Sequence, residues 1–311
     1  MGSGQGEISK AGGHMAGGAH HEPVMAKEVL EWLRPRPGNE IADLTLGLAG
    51  HSRQLLERLR PGGRLLGIDA DPESVALAGE LLGEGASDVE LLIGHFDEVV
   101  RRLPEGRRFD GVLLDLGISS VQMDSPERGF GFLRDGPLDM RLDRSRGRTA
   151  ADLLARTSQA ELEALFREYG QERFARRVAR EIVAARRRRP LRRTVELAEL
   201  VAGVVSGRSR QRIHPATRVF QALRIAVNDE LGRLERALEG WASRLEPGGR
   251  IVVISFHSLE DGRVKRFFRE QKREGLFSVL TPKPQRPTYE EVMGNPRARS
   301  ARLRCAERST P

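Results

Sequence analysis

The chain predicts an α/β fold in which a doubly wound, mostly parallel sheet carries a separate helical insertion. Three observations predict it. Short apolar runs alternate with helical periodicity from about residue 40 to 116, the pattern of a parallel sheet covered on both faces. The first run ends in the small residues of Gly47-Leu48-Ala49-Gly50-His51-Ser52, and the second ends in a carboxylate about twenty positions later, at Asp69. The alternation then stops after Asp115 and resumes only with the buried-type run Ile251-Val252-Val253-Ile254-Ser255-Phe256.

In chain order, residues 1–20 are rich in Gly, Ala and His and read as a disordered leader outside the fold. His21-Glu22-Pro23-Val24-Met25 leads into an amphipathic helix through Leu33, stopped by Pro35 and Pro37. Strands are expected near Glu40–Leu44, Arg64–Asp69, Val89–Ile93 and Phe109–Leu116, with helices between them. Ser119–Asp143, dense in Gly, Pro, Asp and Arg, reads as one long ordered loop over the site. From Arg148 to about Val205 the periodicity is helical throughout. His214-Pro215-Ala216-Thr217-Arg218 opens one long helix running to Leu245, followed by the tight turn Glu246-Pro247-Gly248-Gly249-Arg250. A helix spans Leu259–Gln271, and the tail around Arg302-Leu303-Arg304-Cys305-Ala306 is expected to add a last edge strand. No internal repeat is visible.

Composition narrows the class. With 39% hydrophobic and 31% charged residues the 311-residue chain reads as a soluble globular protein. No run approaches the roughly 18 apolar residues of a membrane helix, and the cytoplasm is the default compartment. The single cysteine, Cys305, and seven scattered His offer no structural zinc pattern, so no metal is expected. A net charge of +8 is carried by clustered arginines: Arg186-Arg187-Arg188-Arg189-Pro190-Leu191-Arg192-Arg193, then Arg208, Arg210 and Arg212, then the stretch from Arg297 to Arg308. Arginine forks suit phosphates and stack on bases, so the clustering points to a nucleic-acid partner, although any single arginine reads equally as part of a solvated helix face.

The strand-turn-helix around Gly47–Ser52 has the physics of a nucleoside-cofactor site. Small residues let the backbone approach a ligand, and the helix that follows offers unpaired N–H groups and a positive dipole end. Asp69 is placed to accept hydrogen bonds from ribose hydroxyls. Leu48, Ala49 and His51 stand where a dinucleotide fingerprint needs its closest approach, which disfavours NAD, and no Gly-x-x-x-x-Gly-Lys-[Ser/Thr] occurs. S-adenosylmethionine is left as the candidate.

Read together, these segments resemble one family, the bacterial 16S ribosomal RNA cytosine-N4 methyltransferases called RsmH or MraW. The resemblance is carried by His21–Met25, Gly50-His51-Ser52, Gly67-Ile68-Asp69-Ala70-Asp71-Pro72 and Leu114-Asp115-Leu116-Gly117-Ile118-Ser119-Ser120. It continues through Glu127-Arg128-Gly129-Phe130, Asp135–Arg141, His214–Arg218 and Ser255-Phe256-His257-Ser258-Leu259-Glu260-Asp261, spanning residues 21 to 308. It implies a class I S-adenosylmethionine-dependent methyltransferase fold, Rossmann-like, formed by residues 21–134 and 214–311, with a helical insertion at 135–213 that recognises RNA. It also implies the cofactor set: Ala49, Gly50 and His51 against the methionine part, Asp69 on the ribose, Phe96 on the adenine, and Asp115 and Gln122 completing it. The chain has Asp43-Leu44-Thr45 and Ala49-Gly50-His51 where the family has Asp-Gly-Thr and Gly-Gly-His. An alanine at 49 resists positive φ, so a shifted loop or weaker cofactor binding is expected there, and Leu44 is expected to pack in the sheet.

The implied reaction is methylation of the N4 amine of a decoding-region (P-site) cytidine in 16S rRNA within the small ribosomal subunit. That amine is a poor nucleophile that must be oriented and relieved of a proton. The catalytic candidates are Asp115, Ser255 and His257, with His257 read first as a helix-capping residue and second as a base. Two alternatives stand beside this reading: methylation of another RNA, and an RNA-binding assembly protein with a degenerate cofactor site. Monomer and dimer both remain open.

Overall fold

The computed structural model describes residues 23–83, 88–205 and 214–310; the leader at 1–20 and Arg208, Arg210 and Arg212 lie outside them. The chain begins with α1 (Ala26–Leu33), β1 (Glu40–Asp43), α2 (Gly50–Leu59), β2 (Arg64–Asp69), α3 (Pro72–Leu82) and β3 (Val89–Ile93). Then come α4 (Phe96–Arg102), β4 (Phe109–Asp115) and α5 (Ser120–Asp124). The insertion supplies α6 (Ala150–Arg156), α7 (Gln159–Glu168), α8 (Ala175–Arg188) and α9 (Thr194–Val205). The chain returns through α10 (Thr217–Asn228), α11 (Glu230–Ala242), β5 (Leu245–Ser255) and α12 (Ser258–Arg273), and finishes with β6 (Phe277–Val279), α13 (Tyr289–Gly294) and β7 (Arg302–Arg308).

The seven strands form one sheet in the order β3-β2-β1-β4-β5-β7-β6, parallel except for β7, which runs antiparallel to both β5 and β6. This is the Rossmann-like, mostly parallel, doubly wound sheet expected from the sequence. One face is covered by α4, α11 and α12, with Trp241, Phe109, Val253 and Phe268 in its apolar layer. The other is covered by α1, α2 and α3, with Leu33, Leu55, Leu59, Val252 and Leu303. Both faces of the central strands are therefore dry, which is why those strands read as continuous apolar runs rather than alternating ones. Strand order reverses between β1 and β4, so the carboxyl ends of β1, β2 and β4 border the crevice where such sheets bind ligands.

A third apolar cluster is separate from the sheet. It gathers Phe130, Leu138 and Met140 with residues of α6 to α10, including Leu154, Phe166, Val178, Leu197, Val219 and Leu223. The helical lobe thus has its own core.

Three sequence expectations need correction. The single helix from His214 to Leu245 is two: Asp229 adopts φ 50, its N–H closes α10 on Ile225 O, and α11 starts from it. The tail strand is not an edge. β7 lies inside the sheet with Leu303, Cys305 and Ala306 buried, and the three-residue β6 takes the edge beside it. The stretch Ser119–Asp143 is not one loop, because Ser119 and Gln122 form a capping box that starts α5 and a 3-10 turn follows at Pro126–Arg128. Its backbone then folds back on itself so closely at Gly136 that any Cβ there would collide with the Pro126 carbonyl.

Candidate functional site

The site grows out of the turn after β1. Asp43 ends the strand in full burial; its carboxylate accepts from Ser52 Oγ at 2.6 Å and Thr45 N at 3.1 Å, and burial pushes its pKa up. Thr45 Oγ1 in turn accepts from Asp115 N at 2.7 Å, tying the turn to the end of β4. Gly47 follows at φ 50, a conformation that suits glycine, and its N–H donates to Asp69 Oδ2 at 2.9 Å. Ala49 also adopts the left-handed region, φ 57 and ψ 26, and its carbonyl starts α2 by accepting from Arg53 N. The alanine accepts the conformation that its methyl group was expected to resist. Leu44 packs in the sheet, buried among Ala42, Ile68 and Leu114.

Asp69 holds one backbone N–H on each oxygen, Gly47 on Oδ2 and Asp71 on Oδ1, both at 2.9 Å. Each oxygen keeps a lone pair for a further donor. Burial dominates its titration and pushes it up to about 6, against the pull of the two N–H groups. Asp69 pairs in register with Ile93, and Gly94 N donates to Asp69 O, so the start of α4 at Phe96 lies just beyond the neighbouring strand end. Phe96 is partly buried, and its carbonyl accepts from Trp241 Nε1 at 2.9 Å, which anchors that helix start to α11.

Asp115, the last residue of β4, is partly exposed. His51 Nε2 stands 3.6 Å from Asp115 Oδ2, beyond hydrogen-bond distance. Both His51 Nε2 and Asp115 Oδ1 are buried atoms with no hydrogen-bond partner. Buried polar atoms are nearly always satisfied, so two such atoms at one strand end mark a place where a ligand supplies the partners. Together with the free lone pairs of Asp69, they fit the adenosine-type cofactor expected from the sequence.

A second set of contacts, unassigned in the sequence reading, joins this crevice to the helical lobe. Asp71 caps α3 and accepts from Gln122 Nε2 at 2.9 Å and Arg128 Nη1 at 2.6 Å on a single oxygen. Both Asp71 and Arg128 are buried. Arg128 Nη2 donates to Leu142 O at 2.9 Å, Leu142 N donates to Asn228 Oδ1, and Asn228 Nδ2 donates to Met140 O. Gln122 thus reaches the cofactor end through Asp71, its carbonyl being taken by Ser119 N at 3.1 Å. The capping pattern Asp71-Pro72-Glu73 was a readable signal; nothing local marks Arg128, which is 57 residues from its partner.

The other two catalytic candidates follow the neighbouring strand end, where Asp115 pairs in register with Ile254. Ser255 is buried, and its hydroxyl donates across to Arg302 O on β7 at 3.3 Å. His257 caps α12, with Nδ1 accepting from Glu260 N at 3.3 Å and Nε2 3.1 Å from Glu260 Oε1. Burial would raise the Glu260 carboxyl, but His257, Arg224 and the Phe256 N–H hold it below its ordinary value. Glu230, His257 and Glu260 bring ligand-type atoms within 4.8 Å of one another. The Arg224 fork lies on Glu230 at 2.7 and 2.9 Å and supplies the positive charge at that cluster.

Comparison with known proteins follows the same lines. The profile of the MraW methylase family matches residues 18–309. Ribosomal RNA small subunit methyltransferase H of Trichlorobacter lovleyi is 48% identical over 307 residues, covering 93% of this chain and 98% of its own. The protein of that name from Geobacter sulfurreducens is 48% identical over 306 residues, with 93% and 98% covered. Among solved structures, an rRNA methylase from Streptococcus thermophilus superposes with a TM-score of 0.43 at 9% identity, covering 92% of this chain and 94% of its own.

Proposed function

The chain belongs to the MraW methylase family, and on that premise we propose that it methylates the N4 amine of a decoding-region, P-site cytidine in 16S rRNA of the small ribosomal subunit. The same reading puts the enzyme in the cytoplasm with the subunit it modifies. Bound S-adenosylmethionine supplies a methyl group activated on a sulfonium. Residues 21–134 and 214–311 carry the transfer, and 135–213 hold the RNA. In this reading Ala49, Gly50 and His51 meet the methionine portion, Asp69 takes the ribose hydroxyls, Phe96 lies by the adenine, and Gln122 acts through Asp71.

The observation that carries the reading is the unsatisfied Asp115 Oδ1 at the end of β4. An exocyclic amine is a donor whose lone pair is delocalised into the ring. A carboxylate that accepts one of its hydrogens fixes the nitrogen's direction and takes the proton released as the new N–C bond forms. The backbone of Asp115 is anchored by its own N–H on Thr45, and His51 Nε2 stands 3.6 Å from its Oδ2. This reading gives the role to Asp115; Ser255 has its hydroxyl on Arg302 O, and His257 has Nδ1 on Glu260 N at the cap of α12. The cytosine must leave its stack to reach a crevice at the strand ends, as bases undergoing chemistry do.

The test is transfer of labelled methyl from S-adenosylmethionine to purified 30S subunits that lack their own modifications, with the labelled nucleotide identified by mass spectrometry. N4-methylcytidine in the decoding region is expected. Label on another base, or on another RNA only, would overturn the substrate assignment.

A further inference from the structure

We propose that the segment between β6 and β7 is a stacking platform for the RNA substrate: a single strand next to the methylated nucleotide lays one base on Tyr289 and its phosphates against Lys283, Arg286 and Arg299. This rests on the RNA reading above, and the platform lies in the sheet domain, outside the helical insertion. Tyr289 and Met293, one turn apart on α13, are 74% and 66% exposed. A tyrosine ring held in solvent forgoes the apolar burial that is its main contribution to a fold. Around it, Lys283, Arg286 and Arg299 are exposed, and none has a side-chain partner among the described residues. Arg297 instead holds Asp124 at 2.8 Å. Glu290 and Glu291 lie in the first turn of α13, where the helix dipole offsets their charge, and Glu291 accepts from Met25 N at 2.6 Å.

The platform is built in advance of any ligand. Pro282, Pro284 and Pro287 fix φ at three positions among the cations. Gln285 exchanges backbone hydrogen bonds with Leu303 at 3.0 and 3.1 Å, and its side chain accepts from Trp32 Nε1 at 2.7 Å. Thr288 caps α13 by accepting from Glu291 N at 3.2 Å. A surface already ordered loses less conformational freedom when it binds.

The platform also borders the crevice. β7 runs antiparallel to β5 with Arg302 opposite Ser255, so residues 280–301 leave and rejoin the sheet at its carboxyl end. Glu291 holds Met25, and Pro23, two residues earlier, covers the cofactor turn so closely that a Cβ on Gly50 would lie 3.2 Å from it. On the other side, Arg297 holds the end of α5, the helix that carries Gln122. A strand whose base enters at Asp115 therefore has this segment at the rim of the site. Unpaired cations beside an open ring match the two parts of a nucleotide, an anion and a flat π-face. An acidic peptide would satisfy the cations and leave the ring uncovered.

The experiment compares wild-type protein with Tyr289→Ala, Tyr289→Phe and the triple variant Lys283→Gln/Arg286→Gln/Arg299→Gln. The Kd for unmodified 30S subunits is measured with kcat and KM for methyl transfer, S-adenosylhomocysteine affinity, thermal melting and mass in solution. Tyr289→Ala is expected to raise both Kd and KM for 30S by about tenfold, the scale of one lost base stack, with kcat, cofactor affinity and melting as in wild type. Tyr289→Phe keeps the π-face and is expected to stay within about twofold of wild type. The triple variant is expected to flatten the slope of log K against log salt by roughly 0.7 for each lost single-strand phosphate contact. A Tyr289→Ala variant that binds 30S as tightly as wild type would overturn the platform, and so would a Tyr289→Phe variant that loses as much as Tyr289→Ala. A changed mass in solution at unchanged Kd would overturn it in favour of a second copy of the chain as the occupant. Wild-type protein that binds no 30S would overturn the substrate reading and the platform with it, whereas wild-type protein that forms N4-methylcytidine with a KM matched by Tyr289→Ala would overturn the platform alone.

Discussion

The cofactor end of the sheet and the helical lobe use charge in opposite ways. At the sheet's carboxyl edge three carboxylates are held by the protein, Asp43 by Ser52 and Thr45, Asp69 by two backbone N–H groups and Asp71 by Arg128 and Gln122, while Asp115 keeps an unpartnered oxygen. In the lobe the core around Phe166, Val178 and Leu223 is built mainly of apolar side chains, and Arg187, Arg188 and Arg192 stand in solvent. Burying a charge costs several kcal/mol, roughly, unless it is paired with good geometry. The comparison teaches that one region uses charge to hold atoms in place, whereas the other keeps it available for something outside the molecule. Substitutions should therefore hit chemistry and stability in the first region, and RNA affinity alone in the second.

The largest effect is expected at Asp115. Asp115→Asn keeps the shape and the backbone bond to Thr45 but removes the proton acceptor, and kcat for methyl transfer should fall by about 10²-fold or more. The KM for S-adenosylmethionine should change far less. A variant that turned over at the wild-type rate would take Asp115 out of the mechanism.

Next comes Arg128→Met, which leaves Asp71 buried without its cation. Breaking a buried pair by removing one partner costs about 3–5 kcal/mol, readable as a lower midpoint in urea unfolding. The contrast is Arg187→Gln on the lobe surface, expected to stay within about 0.5 kcal/mol of wild type. Equal losses in the two variants would erase the distinction between holding charges and available ones.

Asp69 sharpens the same contrast through pH. Its carboxyl is pushed up to about 6 by burial, and the ionised form is the one that accepts from ribose hydroxyls. S-adenosylhomocysteine affinity should be flat above pH 7 and fall as pH drops through about 6, toward tenfold per unit below it. The stability term has the opposite sense. The native state keeps a proton that the unfolded chain, with its ordinary value of 3.8, has released, so this group makes the fold less stable as pH rises from about 4 to 6 and adds no further change above that. Asp69→Asn should weaken binding at pH 8 and remove the step near 6. A step that persists in the variant would assign it to another group.

How much of this was legible in the sequence depended on how local the cause was. The strands from Arg64 to Asp69 and from Val89 to Ile93 were delimited correctly by their apolar runs and flanking turns. The break at Asp229 was hidden because a left-handed aspartate inside a helical pattern leaves no mark in the residue string. β6 was hidden because three residues are too few to show a period. Within the crevice, Asp69 and Asp115 could be read from their places at strand ends. Arg128 sat in a recognised motif, Glu127-Arg128-Gly129-Phe130, without a role, because its job depends on a partner fixed only when the loop folds back over β2.

The smallest effect expected is at Ala49. Its φ of 57 lies in the left-handed region, which costs an L-residue with a side chain roughly 1–2 kcal/mol relative to the right-handed one and glycine little or nothing. Part of that gain is offset because glycine also loses more conformational freedom on folding. Ala49→Gly should therefore raise stability by at most about 1 kcal/mol, a shift of roughly 2 °C in Tm for a chain of this size. If the alanine already sits where a glycine would, S-adenosylhomocysteine affinity should stay within about twofold of wild type. A tenfold tightening on Ala49→Gly would mean instead that the methyl group crowds the cofactor, so that the crevice, like the lobe surface, is shaped to something the protein alone does not contain.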